Sequence, residues 1–198
     1  TADNVRMFSV EYTNNEDTKL KCESNGYRSC TLYKTTMADE DGKTITTFTD
    51  QLGRIVLERH NNNDTYYVHD HKGQLCYVLP PLVANQIGVG IHSDTIDILK
   101  KYAYVYRYDE RGNQIYKRLP GATPTLMVYD ITNTLVMSQT GTQRERGSYW
   151  TVYKYDELRR LLYTAEVNTG NNSHQDYLNS FREWYMVESF STSSQPHP

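Results

Sequence analysis

The most regular hydrophobic pattern in the chain lies between residues 102 and 121. Tyrosines occupy every second position of its first half, namely Tyr102, Tyr104, Tyr106 and Tyr108. Side chains two residues apart share one face of an extended chain, so this spacing predicts a strand with four phenols on one side. Apolar residues resume after a short polar stretch, at Ile115 and Leu119. The segment therefore predicts a β-hairpin.

The polar stretch within this segment predicts a tight turn between Asp109 and Gly112. Asp is favoured at the first position of a type I turn, because its carboxylate accepts hydrogen bonds from backbone N–H groups further along. Gly suits the later position, where a positive φ strains a residue that carries a Cβ. We therefore expect Asp109 to cap the turn and Gly112 to let the chain reverse.

The same spacing recurs along the chain and predicts a tandem array of hairpins. Each Asp and the residue three positions later form one of six pairs: Asp39 with Gly42, Asp50 with Gly53, Asp70 with Gly73, Asp109 with Gly112, Asp130 with Asn133, and Asp156 with Arg159. Successive Asp residues lie 11, 20, 39, 21 and 26 positions apart, and a period near 20 suits two strands and two turns. Asn tolerates a positive φ, so Asn133 fits the pattern, whereas Arg159 does not.

The N-terminal segment predicts strands of its own. Alternation from Val5 to Thr13 is typical of a half-buried strand. Asn25-Gly26 favours a two-residue hairpin loop between strands at Lys19–Ser24 and Tyr27–Met37.

The three cysteines, Cys22, Cys30 and Cys76, are odd in number and match no metal-binding spacing. We expect them to be small buried apolar residues. The predicted hairpin register turns Cys22 and Cys30 away from each other and disfavours a disulfide between them, although a bulge would reverse that.

Two helices are predicted outside the hairpins. The first runs from Asp94 to Lys101, within an insertion over about residues 82–101, with Asp94 as its N-cap and Asp97 at the capping-box position. The second runs from Ser173 to Glu188, where Ser173 and Asp176 form a capping box. Its apolar face comprises Tyr177, Leu178, Phe181, Trp184 and Tyr185.

The composition favours strands over a strongly apolar core. Hydrophobic residues make up 37% of the chain and the mean hydropathy is −0.74, while 18 tyrosines supply much of the buried mass. Tyr favours strands and carries a hydroxyl that needs a partner. The net charge of −3 argues against a nucleic-acid partner, and no apolar run is long enough to span a bilayer.

The repeats resemble the YD repeats of bacterial rearrangement-hotspot (RHS) proteins. The resemblance covers roughly residues 31–165. It lies in the segments YRYDERGNQIYKRLPG, VYDITNTLVMSQTG and YKYDELRRLLYT, supported by TFTDQLGRIVLER and TYYVHDHKGQLCYVLPP. In this family, as in toxin-complex subunits and teneurins, such repeats form ribbons of hairpins that spiral into a hollow shell, often around a toxic C-terminal domain. The family's autoproteolytic aspartate motif is absent, and too few residues follow the repeats for a toxin domain. Neither cleavage nor a cargo is therefore expected here.

The resemblance implies a mainly all-β fold, an array of antiparallel hairpins that forms part of a β-shell. We expect N-terminal strands at residues 1–30, the hairpin array at 31–165, a linker and C-terminal helix at 166–188, and a disordered tail at 189–198. The implied function is a structural segment of a secreted or surface-associated protein, although no signal peptide opens the chain. Its partners would be the remainder of a larger repeat protein, or other copies that associate through exposed sheet edges.

The repeated Asp residues are interpreted as turn caps rather than as catalytic groups. Acid–base chemistry needs two carboxyl groups that converge on one site, whereas each of these lies in a separate turn. His69 and His71 would share one strand face as a two-ligand metal seat, but His69 occupies a repeat position where other copies carry Tyr. No phosphate-binding loop or hydrolase motif occurs. We therefore predict no enzyme activity, no cofactor and no metal.

The alternative function is carbohydrate binding, because aromatic faces beside polar groups suit sugar rings. Its candidate platform residues are Tyr104, Tyr106, Tyr108, Trp150, Tyr153 and Tyr155. Cross-strand stacking within the sheet, which stabilises by about 0.2–1 kcal/mol per pair, is the structural explanation of the same pattern.

Overall fold

The computed structural model describes residues 4–14 and 17–183. These residues form two compact units that divide between Pro124 and Thr125. Antiparallel strands dominate each unit, and the described residues include four short helices. The prediction of a mainly β fold built of antiparallel hairpins, with a short inserted helix and a C-terminal helix, is confirmed. Within the described ranges, no helix combines the length and the apolar character needed to cross a bilayer.

The first unit contains two antiparallel sheets. In chain order its elements are β1 (Phe8–Asn14), β2 (Asp17–Cys22), β3 (Tyr33–Ala38), β4 (Thr44–Thr49), β5 (Ile55–His60), β6 (Asn63–His69), β7 (Leu75–Leu79), α1 (Pro81–Gln86), β8 (Gly90–His92), α2 (Asp97–Tyr102), β9 (Tyr104–Tyr108) and β10 (Gln114–Arg118). Seven strands form the larger sheet in the order β10-β9-β7-β6-β5-β4-β3, and the other three form a small sheet in the order β1-β2-β8.

The small sheet and α1 cover one face of the larger sheet and enclose the main core. The ring of Phe8 meets that of Tyr66 edge-on at 4.9 Å, and the Tyr77 hydroxyl donates to the carbonyl of Thr18 at 3.0 Å. Leu20 and Leu57 are fully buried in the same core. Burial of side chains of this size contributes roughly 1.5–3 kcal/mol each, so this core holds the N-terminal strands on the hairpin array.

Arg6 fastens α1 to the N-terminal strand. Its guanidinium donates to the carbonyls of Ala84 and Ile87 at the end of the helix, the second bond measuring 2.6 Å, and it lies over the ring of Phe8 at 5.0 Å. A cation at this end offsets the partial negative charge of the last helical carbonyls. The backbone bonds of the short helix are thereby completed by a residue about 80 positions earlier.

The second unit is a four-stranded antiparallel sheet with two short helices that contact it. Its elements are β11 (Thr125–Tyr129), β12 (Leu135–Gln139), α3 (Gly141–Glu145), β13 (Tyr149–Tyr155), β14 (Leu161–Asn168) and α4 (His174–Phe181), and the strand order is β14-β13-β12-β11. Ser173 and Asp176 form the predicted capping box of α4. Trp184, Tyr185 and the rest of the helix predicted to Glu188 lie outside the described residues, as does the segment 189–198.

The N-terminal hairpin forms at a different place from the predicted one. β1 pairs with β2, and the predicted loop at Asn25-Gly26 joins no strand pair. A Cβ on Gly26 would lie 2.5 Å from the carbonyl oxygen of Val5, which accepts a hydrogen bond from Tyr27 N–H at 3.0 Å. Close backbone approach, rather than a hairpin turn, therefore explains the glycine.

The inserted helix begins later than predicted and includes the first tyrosine of the ladder. α2 starts at Asp97 with Ile96 as its N-cap and no side-chain capping bond, so the prediction of Asp94 as N-cap is wrong. Asp94 is instead buried and paired with Arg107. Tyr102 is the last helical residue, and the strand that follows carries only the other three tyrosines of the ladder.

One hairpin turn does not have the Asp and Gly spacing of the repeats and was not predicted. Asn61 and Asn62 join β5 to β6 as a two-residue loop with φ values of 47° and 69°. Two successive positive φ values are typical of a type I′ turn, in which Asn is favoured. This turn returns the chain so that the Asp50 and Asp70 turns lie at the same end of the sheet.

Candidate functional site

Six Asp side chains lie at hairpin turns and accept hydrogen bonds from those turns. In each turn the N–H three residues after the Asp donates to the Asp carbonyl at 2.9–3.1 Å. The N–H four residues after it donates to Oδ1 of the side chain at 2.7–3.0 Å. The residues are Asp39, Asp50, Asp70, Asp109, Asp130 and Asp156. Bonds between a side chain and its own backbone therefore define the reversals.

The residue three positions after each Asp has a positive φ. The four glycines at this position, Gly42, Gly53, Gly73 and Gly112, have φ values of 76–89°, and Asn133 has 62°. Arg159 adopts the same conformation with a φ of 60°, although an arginine is not typical of it. A residue with a Cβ costs roughly 1–2 kcal/mol in this region, so the Asp156 turn imposes strain on Arg159.

Five of the six hairpins carry a bulge at the same place. The second strand has one extra residue without a cross-strand partner, six positions after the Asp. The extra residues are Val56, Cys76, Ile115, Val136 and Leu162. The hairpin at Asp39 pairs without interruption. A bulge bends its strand and increases the local twist, and here four of the five extra side chains are buried.

A tyrosine hydroxyl joins neighbouring hairpins at two places. The Tyr108 hydroxyl donates to the carbonyl of Leu75 at 3.0 Å, across the β7–β9 pair. The Tyr155 hydroxyl donates to the carbonyl of Leu135 at 2.9 Å, across the β12–β13 pair. In each joint the tyrosine directly precedes a turn Asp, and the carbonyl lies five residues after the Asp of the preceding hairpin. Burial raises the pKa of Tyr108 to about 12, so its hydroxyl stays a donor.

Successive turns of the first unit also touch one another. Arg54 donates through Nε to Asp50 Oδ2 at 2.7 Å and through Nη1 to the carbonyl of Asp70 at 3.4 Å. Lys72 Nζ donates to the carbonyl of Glu110 at 2.9 Å, which continues the series to the Asp109 turn. Burial of Asp50 would raise its pKa, but the hydrogen bonds from the side chain and backbone of Arg54 outweigh it and hold the pKa low.

A cleft of about 950 Å³ lies between the N-terminal strands and the Asp50 and Asp70 turns. Aromatic residues Phe8, Tyr12 and Tyr27 and the charged pair Asp50–Arg54 contribute to its lining. A smaller cavity of about 210 Å³ adjoins the Asp109 turn, and Tyr12 also lines it. The lining of the cleft is thus amphipathic, because it combines aromatic rings with charged groups.

Tyr12 connects the N-terminal hairpin to the Asp70 turn where the two cavities meet. Its hydroxyl donates to Asp70 Oδ2 at 2.9 Å, and its ring lies edge-on to His71 at 5.5 Å. Burial, reinforced by the bond to Asp70, raises the pKa of Tyr12 well above its ordinary value. Both oxygens of Asp70 are therefore engaged, because Oδ1 accepts from the backbone of Lys72 and Gln74.

The two histidines near this turn have different positions and different neighbours. His69 ends β6, where burial and the nearby Arg54 lower its pKa. His71 follows in the turn, against Tyr12. In residues 4–14 and 17–183, no group of three or more His, Cys, Asp or Glu side chains is arranged to hold a metal ion.

All three cysteines are free thiols. Cys22 and Cys76 are buried as expected, and burial raises the pKa of Cys76 to about 12. The expectation is wrong for Cys30, which is exposed in a loop with a φ of 66°. That loop replaces only the first part of the strand predicted at Tyr27–Met37, because its later part forms β3 (Tyr33–Ala38).

Most of the candidate sugar-binding side chains make contacts within the fold. Trp150, a candidate of the carbohydrate-binding alternative, is 1% exposed and lies under α4, with its ring 5.1 Å from that of Tyr177. The hydroxyl of Tyr153 is hydrogen-bonded to that of Ser138 at 3.0 Å, and those of Tyr108 and Tyr155 form the joints described above. Tyr104 and Tyr106 remain partly exposed, on the opposite face of β9 from the buried Val105.

One cluster of buried charged residues was not predicted from the sequence. Asp94 Oδ2 accepts from Arg107 at 2.8 Å and lies 3.7 Å from a guanidinium nitrogen of Arg118, which also donates to the Asp94 carbonyl at 2.8 Å. The Arg107 guanidinium lies over the ring of Tyr116 at 4.5 Å. The three charged residues are up to 24 positions apart, so neither periodicity nor a local motif could have grouped them.

Comparison of the sequence with protein-family models found no match. No curated protein sequence matches it significantly either. The function is therefore argued from the residues and contacts described above.

Proposed function

We propose that this chain is a structural segment of an RHS-type YD-repeat protein and that it forms part of a β-shell wall. The observation that carries the proposal is the joint between a tyrosine that precedes a turn Asp and the bulged strand of the preceding hairpin. It is built with the same residue offsets at Tyr108–Leu75 and at Tyr155–Leu135. A contact that recurs at equivalent positions is typical of a repeat scaffold, because each unit buries its faces against its neighbour.

The state of the turn carboxylates supports a structural role. Asp50 and Asp156 each accept from backbone N–H groups through Oδ1 and from an arginine Nε through Oδ2. Asp70 is saturated in the same way, with Tyr12 in place of the arginine. A carboxylate whose acceptor sites are filled by its own turn has little capacity left for a substrate. We propose no catalytic role for these residues.

The ends of the sheets support a place within a longer wall. In the described residues β3 pairs only with β4, and β14 pairs only with β13. Unpaired sheet edges accept further strands readily. By the family resemblance, we propose that the wall belongs to a secreted or surface-associated protein and that the neighbours of this segment are further repeats.

Electron microscopy of the complete gene product tests this proposal. The expected result is a hollow particle whose wall consists of β-hairpins, with this segment fitted into the wall density. As a control, a variant in which Tyr108 and Tyr155 are both Phe should assemble with a lower unfolding temperature. A compact particle without an internal space, with this segment outside it, would overturn the proposal.

Carbohydrate binding remains the second candidate because of one open aromatic patch. Tyr67 on β6 and Tyr104 and Tyr106 on β9 are partly exposed, and Val78 of the intervening strand β7 lies between Tyr67 and Tyr104 in the register. A glycan array with the chain and its Tyr104→Ala variant tests this candidate. Binding that the variant loses would support it over the scaffold, whereas an array without hits would remove it.

A further inference from the structure

The N-terminal strand β1 has an open edge and contributes to the lining of a large cleft. Within the described residues β1 pairs only with β2, so its other edge has no neighbouring strand there. Phe8, Ser9, Val10 and Tyr12 of this strand line the cleft of about 950 Å³. Ligand pockets in proteins have volumes of roughly 300–1,000 Å³, so this cleft is large enough for a short segment of polypeptide.

The open edge of β1 presents backbone hydrogen-bonding groups. The N–H of Glu23 donates to the carbonyl of Met7 at 2.9 Å, which places the Met7 carbonyl on the side of β2. Bonded and non-bonded residue pairs alternate along an antiparallel ladder, so the backbone groups of Phe8 and Val10 point away from β2. Within the described residues, no loop or side chain bonds to these groups. They are therefore available to an added strand.

The charges that line the cleft favour an anionic occupant. Each carboxylate of the lining already accepts from a side chain of the fold: Glu23 from Ser9, Asp50 from Arg54, and Asp70 from Tyr12. Arg28 is exposed, and its guanidinium has no hydrogen bond or ion pair in the part of the chain that the structure describes. The cleft therefore offers one guanidinium group, and no carboxylate without a donor, to a charged ligand.

Arg28 lies at the end of the cleft where β1 begins. The N–H of Tyr27, the residue before it, donates to the carbonyl of Val5 at 3.0 Å, just ahead of the first residue of the strand. The exposed side chains of Met7 and Leu52 also line the cleft and offer apolar contacts. A peptide that follows β1 would thus meet apolar groups along its length and a cation at one end.

We propose that the cleft binds an extended peptide, which adds to the open edge of β1 as an antiparallel strand and places acidic C-terminal residues beside Arg28. Main-chain bonds to Phe8 and Val10 supply the affinity, as in other complexes formed by strand addition, and the side-chain contacts supply the specificity. Antiparallel pairing is the more stable arrangement, and it brings the C-terminal end of the peptide to the start of β1. This binding function is separate from the proposed wall, because β1 belongs to the small sheet and not to the hairpin array.

A synthetic peptide added to the full 198-residue chain tests the proposal. The probe is fluorescein-Gly-Thr-Val-Thr-Val-Asp-Asp-amide, and its binding is followed by fluorescence anisotropy. We expect saturable binding. Amide exchange measured by NMR should slow at Phe8 and Val10 and stay unchanged at Ser9 and Glu11, whose backbone groups face β2. Only an added strand produces this alternation.

Modified probes separate the backbone contribution from the charge contribution. N-methylation of every second peptide residue removes the N–H groups from one edge of the bound strand and leaves the other edge intact. One of the two methylated peptides should bind about tenfold or more weakly, and the other should bind like the parent probe. A probe that ends in Lys-Lys instead of Asp-Asp should also bind about tenfold more weakly, because it repels Arg28.

Matched variants of the chain locate the contact. Val10→Pro removes an N–H from the open edge and spares the ladder to β2, so binding should weaken about tenfold or more. Arg28→Glu should weaken the acidic probe about tenfold and strengthen the Lys-Lys probe. Lys117→Glu, at an exposed residue outside the cleft lining, should change neither. Circular dichroism shows whether each variant is folded, and the methylated probes test the same bonds without altering the chain.

Three results would overturn the proposal. The first is absence of saturable binding to the folded chain. The second is equal binding by the two methylated probes, or slower exchange at Ser9 and Glu11 as well as at Phe8 and Val10. The third is dimerisation of the chain in sedimentation experiments that Val10→Pro abolishes, because the occupant of the edge would then be a second copy.

Discussion

The hydroxyl of Tyr12 and the carboxylate of Asp70 meet at 2.9 Å, 58 positions apart in the chain. In the Asp50 and Asp156 turns, the oxygen equivalent to Asp70 Oδ2 accepts from an arginine four residues later. The Asp70 turn has Gln74 at that place, and the N-terminal hairpin supplies the donor instead. Tyr12 thus supplies the hydrogen-bond donor that this turn lacks, and it holds the N-terminal cap, formed by strands β1 and β2, on the array.

Removal of the Tyr12 hydroxyl should loosen this anchor. Tyr12→Phe keeps the ring against His71 and removes one hydrogen bond, so the free energy of unfolding should fall by about 0.5–1.5 kcal/mol. Urea unfolding followed by circular dichroism measures the change. Tyr33→Phe, at an exposed residue of β3, serves as the control and should have no effect. An unchanged midpoint in Tyr12→Phe would show that the bond contributes nothing to the docking of the cap.

The glycine of a repeat turn should be far less replaceable than a loop glycine. Gly112 has a φ of 89°, and a Cβ on it would lie 3.0 Å from Gln74 Nε2, whereas Gly88 has open space around it and no positive φ. Gly112→Ala should therefore cost about 1–2 kcal/mol of stability. Gly88→Ala should be neutral or slightly stabilising, because it reduces the entropy of the unfolded chain. Equal thermal shifts for the two variants would contradict the turn geometry.

The strain at Arg159 should be removable. Arg159→Gly or Arg159→Asn places a residue that tolerates a positive φ in the Asp156 turn and should raise the free energy of unfolding by about 0.5–1 kcal/mol. Arg159→Ala keeps the Cβ and should give no such gain, which separates backbone strain from loss of the arginine charge. Chemical denaturation of the three variants decides the point, and a gain in Arg159→Ala equal to that in Arg159→Gly would refute the explanation.

The buried cluster around Asp94 should be essential to the first unit. Asp94→Asn removes the anion that two guanidinium groups share, so the unfolding free energy should fall by about 3–5 kcal/mol. Asp97→Asn lies three positions later and affects only an exposed pair with Lys101 at 3.6 Å, which should change stability by less than about 0.5 kcal/mol. Guanidinium titrations of both variants make the comparison. Similar small shifts would show that the arginines find other partners.

Alkaline conditions should destabilise the fold through its tyrosines. Burial, followed by the hydrogen bond to Glu58, raises the pKa of Tyr67 from the ordinary 10.0 to about 12. The folded state therefore holds this proton more tightly than the unfolded chain, and stability is complete below pH 10 and falls as the pH rises towards 12. The unfolding midpoint measured from pH 9 to 12 should fall less steeply in Tyr67→Phe than in the wild type. Parallel curves would contradict the shift.

Much of the hairpin array follows from short-range chemistry and could be read from the residues alone. The bond from the Asp70 side chain to the N–H of Gln74 and the positive φ of Gly73 are formed within five consecutive residues. The order of strands in a meander follows from these local reversals. The bulges were not predicted, because the sequence around Ile115 alternates no differently from an ordinary strand.

The placement of the cap and of the charges depended on residues that only the folded chain brings together. Gly26 carried a strong hairpin signal, but its neighbour in the fold is the backbone of Val5. The sequence predicted Asp94 as a helix cap, but Asp94 is buried and paired with two arginines from the larger sheet. A local sequence pattern fails to predict the structure where burial makes the interaction with a distant partner more stabilising than the local hydrogen bond. The sequence by itself therefore determined the turns and the mainly β fold, whereas the tertiary structure decided which surfaces are closed and which, as at Leu162, remain open.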